Sequence, residues 1–235
     1  MPAKRPKVRS TFVPYIFSRY QLRELLKATK HCQDRRDWID VRTMRTLILL
    51  LYGTGAGTKE ILELRFSDIN LSDRLVTIRG KGARYRQIPI GESLAEVLRK
   101  YISWRTRRQY SGTSLLITKY DQPIRRATAS KHFERIRKHA GVRRFDGASF
   151  QPRLLDLRCT FAVHRITSWI KNGADLNRMM SALAACMGQT GLGSTERYLA
   201  LTPARFQKHL DKLSPERRRF HWRNDQALMR FLSSL

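Results

Sequence analysis

Several side chains in this sequence are of types that bind phosphate or do covalent chemistry. Lys81 stands between Gly80 and Gly82, in a turn flanked by two β-type runs, Leu75–Ile78 and Tyr85–Ile90. By default such a lysine is a solvated hairpin tip; in a chain this basic it reads better as a phosphate contact. Arg158 follows Leu154, Leu155 and Leu157 in a run patterned to face a core. A buried arginine needs a partner, either a phosphate or a structural carboxylate such as Asp156 or Glu60. Tyr198 by itself reads as a packed aromatic, and His164 as a satisfied structural histidine. The three cysteines, Cys32, Cys159 and Cys186, are odd in number and widely spaced. They suit a reducing compartment and read as small apolar groups, without a disulfide framework or a metal cluster.

The charge balance narrows the partner. Lys and Arg number 47 against 19 Asp and Glu, a formal charge of +28 over 235 residues. Such an excess repels itself in the folded state, which a polyanionic partner offsets. Nucleic acid is the first reading and an anionic membrane surface the second. The membrane reading is weak: the longest apolar run, Thr46 to Tyr52, is far too short to span a bilayer. The N-terminal MPAKRPKVRS is basic, but no apolar signal core follows it. A cytoplasmic, nucleoid-associated location with no membrane partner is expected. Basic runs at Arg105–Arg108, Arg125–Arg126, Arg135–Lys138 and Arg143–Arg144 extend the positive field, and acidic residues are scarce between Lys100 and Arg153.

The elements that must position these groups are mostly helical. Ser18 caps a first helix bearing Leu22, Leu25 and Leu26 on one face. A second helix is predicted from Asp37 to Tyr52, ended by Gly53 and Gly55, and Thr58 caps a short third. The hairpin follows, then a helix from Ser93 to Arg105 and a third strand at Ser114–Thr118. From Ala127 onward the pattern is helical, with breaks at Gly141–Pro152, Asn172–Gly173, Gly188–Gly193, Pro203 and Ser214–Pro215. The fold class is therefore α+β, mainly helical, with a small three-stranded antiparallel sheet.

Four strings, in order, resemble the tyrosine recombinases, or phage-integrase-type recombinases. LLLYGTGAGTKEILELRFSDIN (Leu49 to Asn70) is similar to the family's first box, LLYxTGLRxSELLxLxWxDID. TIRGKGARYRQIPI resembles its GKGxKxRxVPL hairpin, PRLLDLRCTFAVHRI its HDLRHTFAxH box, and MGQTGLGSTERYLALTP its LGHxxxxxTxxYxxxTP box. The resemblance implies a basic arm over residues 1–16, a catalytic-type domain over 17–213 and a C-terminal helical tail over 214–235. That tail carries Phe220, Trp222, Leu228, Phe231 and Leu232 and is expected to fold back or to dock on a neighbouring protomer.

The resemblance also implies roles. Tyr198 falls on the nucleophile that forms a 3′-phosphotyrosyl link, Arg158 on the second arginine and Lys81 on the general acid. Glu60 falls on the carboxylate that supports the first arginine. The first arginine itself aligns with Gly57, the first histidine with Leu155, the residue after Arg158 with Cys159, and the later histidine with Gln189. A small neutral residue cannot make a bidentate phosphate contact, and removal of one transition-state donor costs about a hundredfold to a thousandfold in rate. The helix from Ala127 to His139 falls on the one that enters the major groove, which makes Thr128, Ser130, Lys131, Arg135 and Lys138 DNA-binding candidates, with Arg84 beside the hairpin. The implied partner is double-stranded DNA, with a second copy or a partner recombinase supplying the other half of the grip; no metal or other cofactor is implied. The function expected first is a DNA-binding, recombinase-type protein of a mobile element, accessory or regulatory, with strand cleavage lost or weakened. The alternatives are an active recombinase cutting through Tyr198 and a general basic nucleic-acid-binding protein.

Overall fold

Local sequence chemistry starts the fold at Ser18. Its hydroxyl accepts from the Gln21 amide at 3.1 Å, and the Gln21 side chain accepts from the Ser18 amide at 2.9 Å, a reciprocal cap. Helix α1 (Arg19–His31) follows and buries Leu22, Leu25 and Ala28. The computed structural model describes residues 13–32, 37–80, 84–110, 112–148 and 150–189, together with Thr195, Tyr198, Leu199 and Leu201. The basic arm before residue 13 and the tail after 201 lie outside the described residues.

Helix α2 (Val41–Thr54) is the central element. Asp40 caps it by accepting from the Arg42 amide at 2.8 Å, three residues later than the predicted start at Asp37. Its end is also corrected: only Gly55 turns left-handed, at φ 64°. Gly53 stays in the helix, where a Cβ would meet Leu94 Cδ2 at 2.6 Å. Met44, Leu47, Ile48, Leu50 and Leu51 are all buried, since α2 packs on α1, on the short α3 (Thr58–Leu62), on α4 (Glu92–Arg107) and on α6 (Asp156–Lys171). Gly57, rather than Thr58, occupies the cap of α3, and Thr58 is buried in its first turn. Helix α5 (Arg126–His139) packs on α1 and α3, and α7 (Leu176–Met187) on α6 and the sheet's last strand.

The sheet is antiparallel in the order β1 (Ile69–Asn70), β2 (Leu75–Arg79), β3 (Tyr85–Pro89). Val76 pairs with Ile88 and Ile78 with Arg86. The hairpin expectation holds; the third strand does not. Ser114 and Ile117 make only isolated bridges, to Arg65 and Pro123, and the third strand is β1. The reason is a guanidinium. Arg105, 1% exposed, donates to the carbonyls of Ser114, of Leu115 at 2.9 Å and of Gly112 at 3.2 Å. Those carbonyls are satisfied without a neighbouring strand. Arg137 and Arg144 are likewise buried, donating to Val142 O at 2.9 Å and Pro14 O at 3.2 Å. Three cations of the basic runs are therefore internal staples rather than surface charge.

Arg105→Ala strands those carbonyls and the nearby Asp121 carboxylate, 3.7 Å away. Such a loss costs about 3 kcal/mol of unfolding free energy, read from the urea midpoint, whereas Arg107→Ala, on the exposed side of the same helix, leaves the midpoint unchanged.

Candidate active site

Three elements bring charged side chains to one cleft of about 870 Å³. The first is α3. Glu60 stands at its third position, so its carboxylate reaches back to the helix start and accepts from the Gly57 amide at 2.6 Å. The second is β3. Arg86 lies two residues from the buried Ile88 and so shares its inward face. That direction carries its guanidinium between α3 and α7. Nη1 and Nη2 donate to Glu60 Oε1 and Oε2 at 2.8 and 2.9 Å, and Nε donates to the Cys186 carbonyl at 2.9 Å. The third is the first turn of α6, where Arg158 Nη2 donates to Met187 O at 2.7 Å, at the C-terminal end of α7. Its Nη1 lies 3.8 Å from Glu60 Oε2. One carboxylate thus faces two guanidiniums.

Helix α7 must end where it does for this to fit. Gly188 closes it at φ 64°, a left-handed position that favours glycine. A Cβ there would also lie 2.7 Å from Arg86 Nη1. Tyr198 is 9% exposed and stands beside Arg158, Cys159 and Gln189. Gln189 Nε2 approaches its hydroxyl at 3.4 Å, and Thr195 donates to Gln189 Oε1, fixing the amide.

The electrostatics follow from burial and neighbours. Burial opposes charge on Glu60, but the hydrogen bonds from Arg86 and the Gly57 amide, with the charges of Arg86 and Arg158, outweigh it and hold the carboxyl below the usual range. Burial raises the Tyr198 phenol and Cys159 adds to the rise, while Arg158 and the hydrogen bonds from Arg158 and Gln189 pull the other way. Tyr198 is therefore protonated at neutral pH. Burial, with the Asp156 charge, pushes the Cys159 thiol up to about 11, so it stays neutral.

Of the residues singled out in the sequence, Arg158, Glu60 and Gln189 line this cleft, and Tyr198 packs beside Arg158 and Gln189. Gly57 lies over the Glu60 carboxylate. Lys81 lies outside the described residues; Arg79, Gly80 and Arg84 line the same cleft. Leu155 is 36% exposed and faces a neighbouring cleft with Arg126, Ser130 and Lys131. His164 is set apart: its Nδ1 meets the Tyr52 hydroxyl at 3.0 Å, and burial, with the Arg19 charge, lowers its pKa. On α5, Ser130, Lys131, Arg135 and Lys138 are exposed and Thr128 half-buried. Arg135 is tied to Asp37, and Lys138 to Glu134 at 2.8 Å. Sequence reasoning gave Arg86 no role, although it stands at the arginine of the hairpin string GKGxKxRxVPL and two residues from the inward Ile88. Among the described residues, no cluster of three or more His, Cys, Asp or Glu is placed to hold a metal ion, and no helix is long and apolar enough to cross a membrane.

Residues 17–205 match the Phage integrase family. The chain belongs to that family. It is 31% identical over 162 residues to the tyrosine recombinase XerC of Listeria innocua, covering 67% of this chain and 49% of that protein. It is 26% identical over 174 residues to the tyrosine recombinase XerD of Staphylococcus saprophyticus, 73% of this chain and 54% of the relative. A putative integrase/recombinase of Sinorhizobium fredii is 27% identical over 208 residues, 85% and 65% of the two chains. This integrase-family chain spans about half to two thirds of the length of these relatives. Among solved structures, XerA recombinase superposes with a TM-score of 0.64 at 19% identity, over 89% of this chain and 66% of that one. XerH recombinase bound to a palindromic difH substrate gives 0.67 at 20%, over 88% and 55%. The fold is that of tyrosine recombinase catalytic domains.

The depressed carboxyl predicts a pH effect. A group whose folded pKa lies below its unfolded value adds stability above the unfolded value, about 4.3 for glutamate, and loses it as the pH falls through the folded one. Glu60→Gln is expected to flatten the acid-side fall of the denaturation midpoint below about pH 4.3, measured in urea from neutrality downward. An acid limb as steep as that of the wild type counts against this electrostatic role for Glu60.

Proposed function

We propose that this chain binds double-stranded DNA as a recombinase-type protein and cleaves it through Tyr198 at a weakened rate, in an accessory or regulatory role on a mobile element. The observation that carries the reading is the packing of the Tyr198 hydroxyl against Arg158, which itself lines a basic cleft, while Gly57 and Leu155 bring no side-chain donor to the positions that the family fills with arginine and histidine. Tyr198 beside Arg158 supports a nucleophile with a guanidinium at hand, and Gly57 and Leu155 support a reduced transition-state grip.

The chemistry available is a transfer of one phosphate bond. Tyr198 Oη bonds to phosphorus, the bond from phosphorus to the 5′ oxygen breaks, and the phenolic proton passes to solvent water as attack proceeds. Lys81 gives the departing 5′ oxygen its proton. Arg158 holds a nonbridging oxygen whose charge grows in the transition state. Reversal rejoins the strand without an outside energy source, because the phosphotyrosyl link keeps the bond energy. The raised phenol of Tyr198 works against attack at neutral pH, in keeping with a slow rate.

Grip on the duplex is assigned to the outward face of α5. Lys131 lines two adjoining clefts, one shared with Arg126 and Ser130 and the other with Arg125 and Thr128. Arg135 and Lys138 are partly offset by Asp37 and Glu134, which leaves Lys131 and Ser130 as the leading contacts to base edges or phosphate. Arg84 extends the basic rim beside the hairpin. A second copy, or a partner recombinase, completes the grip.

The test begins with a duplex selected from a random pool by the protein. Nicked forms of it should yield a covalent protein–DNA band on a denaturing gel that vanishes in Tyr198→Phe. Its rate of formation should be about a hundredfold or more below that of the Listeria innocua relative on its own selected duplex. A rate equal to the relative's removes the weakened-site reading. Failure to select any duplex removes DNA binding itself.

A further inference from the structure

Gly57 leaves the cleft without the guanidinium that its alignment would supply, yet the cleft holds a second one. Arg86 arrives from β3, on a different element, and meets the same carboxylate oxygen as Arg158: Glu60 Oε2 is 2.9 Å from Arg86 Nη2 and 3.8 Å from Arg158 Nη1. We infer that Arg86 is a phosphate-binding residue of this site, supplying beside Arg158 the second guanidinium that Gly57 cannot, with Glu60 fixing its plane. The inference rests on the reading that the cleft takes a DNA phosphate.

Three observations carry it. The first is donor arithmetic. A guanidinium has five N–H donors, and Arg86 spends three, on the two Glu60 oxygens and on the Cys186 carbonyl. Two remain, one on each terminal nitrogen. The second is placement. Arg86 and Arg158 both line the same cleft, with side chains 15% and 17% exposed, so an anion reaches both without either being stripped fully of solvent beforehand. The third is rigidity. Three charged or carbonyl contacts hold Arg86 in one rotamer, and Gly188 leaves the space that its guanidinium fills, so little ordering remains to be done when an anion arrives. The charge count agrees. Lys59, Arg79, Arg84, Arg86 and Arg158 outnumber Glu60 and Glu63 around the cleft, a net positive lining that favours an anion.

A purely structural Arg86 would use the same three bonds to clamp β3 to α7, and the experiment must separate the two roles. The probe is the duplex selected from the random pool, with single methylphosphonates stepped along each strand so that each removes one phosphate charge. The position at which this change costs wild-type affinity but costs Arg158→Ala nothing marks the phosphate in the cleft. The wild-type penalty there should be about tenfold to a hundredfold. In Arg86→Ala the penalty at that same phosphate should fall to near unity while penalties at other phosphates persist. Should Arg86→Ala fail to fold, Arg86→Lys carries the test, since a lysine keeps the charge but loses the planar fork. The penalty should shrink there too and return in Gly57→Arg/Arg86→Lys, which puts a guanidinium back from α3. A full penalty in Arg86→Ala or Arg86→Lys, or a uniform loss of affinity that spares no position, overturns the inference while DNA binding stands. If no duplex can be selected, the DNA reading falls and takes the inference with it.

Discussion

The site depends on one carboxylate. Glu60 accepts two hydrogen bonds from Arg86 and one from the Gly57 amide, and it faces Arg158 at 3.8 Å. Through these contacts it joins the start of α3, the inward face of β3 and the first turn of α6, three elements far apart in the chain. Charge-assisted, bidentate bonds of this kind are short and directional, so they fix orientation as well as proximity. Without Glu60, two guanidiniums would face each other across a half-buried cleft with nothing to compensate their charge. The end of α7 completes the frame: its last carbonyls, Cys186 O and Met187 O, accept from Arg86 and Arg158 respectively. A helix C-terminus favours cations, and here it serves two.

Among the described residues, buried and exposed cations do different physical work. Arg105, Arg137 and Arg144 are buried and satisfy carbonyls of irregular segments that no strand or helix pairs. They are part of the core, and their charge says little about partners. The exposed cations on α5 and around the cleft face solvent, and two of them, Arg135 and Lys138, are held by acidic neighbours on the protein itself. Among the described residues, the cationic surface is therefore narrower than a count of Lys and Arg suggests.

Much of the fold was legible because its signals are local. Ser18 caps α1, Gly55 ends α2, and the paired runs around Gly80–Gly82 form the hairpin. The misreadings share a cause, which is that long-range contacts decide them. Leu115–Ile117 has the apolar run of a buried strand, but the Arg105 side chain takes the carbonyls that a partner strand would need. Asp37 looks like a helix start, yet it is tied to Arg135 and His132 on α5, and Asp40 does the capping. In the site, Tyr198, Arg158 and Glu60 were visible through the motif strings that they sit in. Arg86 sits in such a string too, but its partners were not legible, because they are set by the approach of β3 to the end of α7, a hundred residues away in the chain.

The central claim is that Glu60 and Arg86 act as one unit that organises the cleft. A double-mutant cycle on stability tests it without any ligand: Glu60→Ala, Arg86→Ala and the pair, compared by urea denaturation. The account predicts that the double variant is less destabilised than the sum of the singles, with a coupling of at least about 1 kcal/mol, as for contacting charged partners. Additivity within about 0.5 kcal/mol would mean that the two side chains do not depend on each other, and would contradict it.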